Sequence, residues 1–151
     1  MPELLLALLL IAMISAILTE LLVFNTSSTA AYSRFGRQQF TIHDAFTRLN
    51  RDIEGAVEIS FANSIDIDEY KTIKLNVDDV SREWKIDGDT LYLDSVAVVE
   101  GLSDESRFIY SSNNKSLTMV LKPEPTNEGR HAININKPIV SQYSLVYKKV
   151  N

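Results

Sequence analysis

Leu4 to Phe24 reads LLLALLLIAMISAILTELLVF, a run of 21 residues whose single charge is Glu20. At 1.5 Å per residue it makes a helix about 31 Å long, which matches a hydrocarbon core of about 30 Å. Apolar on every side, it has no face left for water, and such a helix rarely suits the core of a small soluble protein. A secretory signal peptide fits less well. No basic region precedes the run, the run is longer than an h-region, and no clean small-x-small site follows. The segment reads as a membrane span.

Working outward, Asn25-Thr26-Ser27-Ser28-Thr29 looks like a linker, yet helical composition resumes at Ala30 with no Pro or Gly stop. Phe35, Ile42, Ala45, Phe46, Leu49, Ile53, Ala56 and Val57 then recur at threes and fours, one apolar stripe along a helix. Arg34, Arg37, Gln38, His43, Asp44, Arg48, Arg51 and Asp52 take the opposite face. Gly36 and Gly55 weaken the helix locally, each by about 1 kcal/mol relative to Ala. The expectation is one long helix, membrane-spanning over 1–24 and amphipathic over 25–57, followed by a globular domain over 58–151.

Beyond Gly55 the period shifts from helical to alternating, with Ile73, Leu75 and Val77 on one side of a strand. Trp84-Lys85-Ile86 and Thr90-Leu91-Tyr92-Leu93 flank Asp87-Gly88-Asp89, a hairpin signal. Arg107–Ser111 and Ser116–Leu121 flank Asn113-Asn114 as a second hairpin. Ala132–Asn136 and Gln142–Val150 read as two more strands, with Pro123, Pro125 and Gly129 marking a loop. The fold class expected is α+β: a long N-terminal helix whose stripe of Phe35, Ile42, Phe46, Leu49 and Ile53 packs on a mainly antiparallel sheet of five to seven strands.

Composition narrows the chemistry. The chain of 151 residues carries 15 Lys and Arg against 20 Asp and Glu, so affinity resting on phosphate neutralisation is not expected, nor is a nucleic-acid partner. There is no cysteine, which removes disulfides, thiolate metal sites and cysteine nucleophiles together, and His43 and His131 are the only imidazoles. No G-x-S-x-G, P-loop, H-E-x-x-H or dinucleotide fingerprint occurs, so no enzyme, catalytic residue or cofactor is expected. Asp66-x-Asp68-Glu69 and Asp87-Gly88-Asp89 lack the spacing of a calcium loop. His43 reads as a solvated helix residue, and Lys148-Lys149 as a solvated strand edge. Charge is segregated: residues 52–105 hold 15 acids and 4 bases, and residues 106–151 hold 2 acids and 7 bases. Pairing across strands of one sheet explains this, as do complementary faces meeting between subunits.

Met1-Pro2-Glu3-Leu4-Leu5-Leu6-Ala7-Leu8 resembles the mature N-terminal motif of the type IV pilin and type II secretion pseudopilin superfamily. Phe46-Thr47-Arg48-Leu49-Asn50-Arg51-Asp52-Ile53-Glu54-Gly55-Ala56-Val57 is similar to the helix end of the minor members, the J-type pseudopilins and W-type minor pilins. The run from Trp84 to Tyr92 looks like their sheet. The absence of a disulfide loop and of a helix-kinking Pro near the end of the span departs from the major pilins. On this alignment Glu3 matches the family's near-terminal glutamate. The expectation is then a precursor whose basic leader, cleavage-site Gly and N-methylated Phe precede Met1.

The resemblance implies that the apolar helix serves first as an anchor and then as packed filament core, through Leu4, Leu8, Ile11, Ile14, Leu18 and Leu22. It also implies that Glu3 meets the α-amine of a neighbouring subunit and sets register; helix N-terminal placement alone would also suit Pro2 and Glu3. Glu20 reads as a boundary residue that reaches the headgroups. Arg34 and Arg37 follow the span, so charge bias alone would put the C-terminus in the cytoplasm. The resemblance implies the reverse: a single pass of the cytoplasmic membrane with the sheet extracytoplasmic, and later a periplasmic or cell-surface filament. Its partners would be other pilin subunits, the prepilin peptidase and the inner-membrane assembly platform. The alternative is a single-pass anchored binding domain that never polymerises.

Overall fold

The computed structural model describes residues 2–124 and 137–150, except for the side chains of residues 2 and 3. It divides into two compact units, one holding the chain up to Gly36 and the other beginning at Arg37. A single helix, α1 (Pro2–Gly55), belongs to both.

In the first unit the helix persists through the linker-like stretch. Thr19, Thr26 and Thr29 donate their hydroxyls to the carbonyls of Ser15, Leu22 and Asn25, each at 2.8 Å. Bonded back to the preceding turn, these hydroxyls are satisfied within the helix, a geometry that a helix tolerates at a small cost in stability. Phe35, at the end of this unit, is half-buried.

The second unit is an α+β domain. Ile42, Ala45, Leu49 and Ile53 of α1 are buried and join Ile59, Ile73, Leu75, Trp84, Phe108, Leu117 and Leu121 in one core, with Phe46 packed at its margin. Nine strands are present among the described residues: β1 (Ala56–Asp66), β2 (Glu69–Val77), β3 (Val80–Asp87), β4 (Thr90–Leu93), β5 (Val96–Val99), β6 (Arg107–Ser111), β7 (Ser116–Leu121), β8 (Ile139–Ser144) and β9 (Lys149–Val150). The order is β5-β4-β3-β2-β6-β7-β8, with β1 beside β2 and β9 beside β1. All pairs are antiparallel except β1–β9. The residues 145–148 that join β8 to β9 span at most about 14 Å, so the sheet curls until its far edge returns to β1.

Both expected hairpins form. Asp87 pairs with Thr90 around Gly88, whose φ of +58° is the left-handed conformation a tight hairpin turn requires. Ser111 pairs with Ser116 around the Asn113-Asn114 turn.

Several expectations are corrected. The helix stops at Gly55, so Ala56 and Val57 belong to β1, and Val57 is exposed rather than part of the stripe. A Cβ at position 55 would meet Val77 Cγ1 at 3.0 Å, so a larger residue there requires the Val77 side chain of β2 to give way by a few tenths of an ångström. The single strand expected over Gln142–Val150 is two, because Leu145 N leaves the ladder to bond Lys115 O and the chain turns through Lys148 N to Leu145 O. Among the described residues six of the expected strands are present, and the split of Gln142–Val150 together with the added β1 and β5 brings them to nine. Ala132–Asn136, Pro125, Gly129 and His131 lie outside the described residues; Pro123 forms an isolated bridge with Leu102.

Candidate functional site

The feature that separates this chain from an ordinary α+β domain is its first two dozen residues. Every large apolar side chain from Leu4 to Phe24 is 51–69% exposed, including Leu4, Leu8, Ile11, Ile14, Leu18 and Leu22. None of the apolar window is buried, although it is long enough to cross a membrane. Monomeric soluble proteins rarely present a continuous apolar surface of this kind. Glu20 is exposed within it. Glu3 lies in the first turn of α1, and its side chain is outside the described residues.

The second half of α1 is fastened to the sheet at several points. Asp52 is only 3% exposed, and its two oxygens accept from Trp84 Nε1 at 3.0 Å and Arg82 Nη1 at 3.2 Å. Its place on the solvated face is therefore a correction. Asp52 follows Leu49 by three and precedes Ala56 by four, so helical spacing puts it at the margin of the stripe, within reach of β3. The only tryptophan, whose indole N–H needs an acceptor when buried, is the signal in the sequence that a polar side chain must come inside.

Tyr143 of β8 donates its hydroxyl to Phe46 O at 3.1 Å, and burial pushes the phenol above its ordinary pKa. Gln38 Nε2 donates to Gly101 O at 2.9 Å. At the helix end, Lys148 Nζ donates to Glu54 O at 2.8 Å and Ala56 O at 2.7 Å. The last turn of α1 has no basic residue of its own, and this ammonium supplies the charge that the negative end of the dipole favours. Lys148 is therefore no solvated strand edge. Lys149 does sit on an exposed strand, paired with Glu58 at 2.9 Å.

The acidic stretch is partly spent on local pairs. Glu69 meets Arg107 and Lys74 meets Glu83. Lys122 holds the Glu105 carboxyl below the ordinary value through a hydrogen bond and its charge. A shallow polar groove on the sheet is lined by Glu83, Lys85, Asp87, Tyr92 and Ser95, where the Asp87 hydrogen bond and charge raise Lys85. Asp66 Oδ1 accepts from Ile67 N, and no cluster of three or more metal-ligating side chains occurs among the described residues. His43 is exposed.

No protein-family model, curated protein or solved structure matches this chain.

Proposed function

We propose that the chain is a minor pilin or pseudopilin, a non-enzymatic structural subunit of a type IV pilus-like or type II secretion-like filament, positioned near its tip. One observation carries the reading: a single helix whose first half is apolar and exposed all round, and whose second half is the core element of a curled antiparallel sheet. Fifteen large apolar side chains between Leu4 and Phe24 lie open. At about 2 kcal/mol for full burial and with roughly 0.6 of each side chain still exposed, keeping them in water costs on the order of 20 kcal/mol, so they require lipid or other apolar helices. Those two surroundings are nearly equivalent for a Leu- and Ile-rich rod, and a subunit moving from bilayer to filament core exchanges one for the other at small cost.

Glu3 is the exception in that apolar setting. A carboxylate there needs a counter-charge, and the α-amine of an adjacent subunit provides one at a single axial position. The test is Glu3→Ala in the full-length precursor, following membrane fractionation and recovery of sheared filaments. Membrane insertion persists, while incorporation falls at least tenfold. Normal incorporation of Glu3→Ala refutes the role of Glu3. A parent chain that stays membrane-bound and never enters a filament supports the anchored binding domain instead.

A further inference from the structure

Within the second unit, the face of α1 turned away from the sheet is unpartnered among the described residues and has a definite chemistry. Arg37, Phe40, Asp44, Arg48 and Arg51 follow one another at threes and fours, a strip about 21 Å long. Arg48 pairs with Asp44 at 2.8 Å, while Arg37 and Arg51 enter no ion pair among the described residues. Phe40 stands between them, 72% exposed.

The opposite chemistry sits where the helix meets the sheet. The β2–β3 turn displays Asp78 and Asp79, both exposed and in the left-handed region at φ of +50° and +62°. Neither enters an ion pair among the described residues. Backbone pairing of Val77 with Ala56 and Val80, and of Glu58 with Lys149, sets Val80, Val57 and the 146–147 turn along one end of the sheet. Val57 and Val80 are exposed, and Tyr147 is 97% exposed although Leu145 and Lys148 on either side of its turn are pinned. These are rigidly held apolar groups beside two free carboxylates.

We infer that the Arg37–Arg51 helix face docks on the Asp78-Asp79 end of a second copy of this chain. Charge decides the pairing. Two helix strips repel each other, as do two acidic ends, whereas strip against end sets Arg51 beside Asp78 and Asp79, and the 146–147 turn, several strands along the same end, brings Tyr147 toward Phe40. The contact is heterologous, so each copy keeps one free strip and one free end, and addition continues in an open series. The inference deepens the filament reading and rests on it for the packing of the apolar rods.

The chain's lack of cysteine makes the test direct. Thr47→Cys, beside the strip, and Ser81→Cys, beside the turn, are introduced into separate full-length chains and mixed in lipid vesicles under mild oxidation. A disulfide dimer forms in the mixture and in neither single population. Its rate falls about tenfold when the Ser81→Cys chain also carries Asp78→Asn and Asp79→Asn, substitutions that keep a side chain tolerant of the left-handed turn. It falls similarly when the Thr47→Cys chain carries Arg37→Glu and Arg51→Glu, or when salt is raised to 1 M. Dimers within a single population, or a mixed rate indifferent to these charges, overturn the inference. If unaltered chains build filaments and the mixture gives no cross-link, the docking surface is wrong and the filament reading survives. A charge-dependent cross-link without filaments upholds the docking surface and overturns the filament reading.

Discussion

Replacing Asp52 with Ala removes the acceptor shared by Trp84 and Arg82, and the two losses differ. The Trp84 indole N–H is fully buried, and an unpaired buried donor costs about 1–3 kcal/mol. Arg82 is 36% exposed and can turn to water, so its share is about 1 kcal/mol at most. Asp52→Ala is therefore expected to lose about 2–4 kcal/mol, and Arg82→Ala about 0.5–1 kcal/mol. Asp52→Asn keeps an oxygen for the indole and gives up only charge, for about 1 kcal/mol. Because Trp84 is the chain's only tryptophan, its emission during urea unfolding of the detergent-solubilised chain reads this junction without a label. The double variant Asp52→Ala/Arg82→Ala should match Asp52→Ala to within about 1 kcal/mol. If Asp52→Ala changes stability by less than about 0.5 kcal/mol, the carboxylate is not what holds helix to sheet; if Asn is as damaging as Ala, the loss lies in the charge and the larger share given to the indole acceptor is refuted.

Two further perturbations probe the same attachment. Tyr143 has its pKa raised by burial, so its stabilisation is complete below pH 10 and is lost as pH rises through the folded value, the unfolded chain releasing the phenolic proton first. Tyr143→Phe flattens that alkaline decline in urea midpoints measured between pH 8 and 11 and removes about 1 kcal/mol below it. Lys148→Met keeps the alkyl stem and removes both bonds to the helix end. A loss of about 1–2 kcal/mol and faster amide exchange over residues 50–56 are expected; unchanged exchange there would show that the ammonium does not close the helix.

What the sequence revealed follows from how local each signal is. The helix and its buried stripe of Ile42, Leu49 and Ile53 were legible because burial on one face leaves a period in the chain. The two hairpins were legible because Asp87-Gly88-Asp89 and Asn113-Asn114 encode their turns within a few residues. β1 was obscured where Ile53, Ala56 and Val57 extend the helical spacing into a strand whose own alternation, Ile59 and Phe61, begins only afterwards. β5 reads as a bare apolar run, Val96-Ala97-Val98-Val99, with no alternation to mark it. The partners of Asp52, Tyr143 and Lys148 are 32, 97 and 94 residues away along the chain. Such partnerships depend on how the sheet curls, which no local pattern records. Of the candidate assembly residues, the apolar rod could be read from composition alone, whereas the charged strip and its acidic counterpart emerge only once strand pairing brings Val57, Val80 and the 146–147 turn to one end.

The threonine hydroxyls of the first unit have a consequence for vertical motion. Thr19, Thr26 and Thr29 each travel with an acceptor belonging to the same helix. Sliding this shaft up or down across an oil–water boundary therefore strands none of these three hydroxyls on either side. Resistance to such a slide falls to the side chains that carry no such companion among the described residues, chiefly Glu20 and Asn25 and to a lesser degree Ser15 and Ser28. Placed across such a boundary, the collar between Asn25 and Thr29 would therefore yield more readily than its composition suggests, because two of its hydroxyls keep their acceptors wherever they rest.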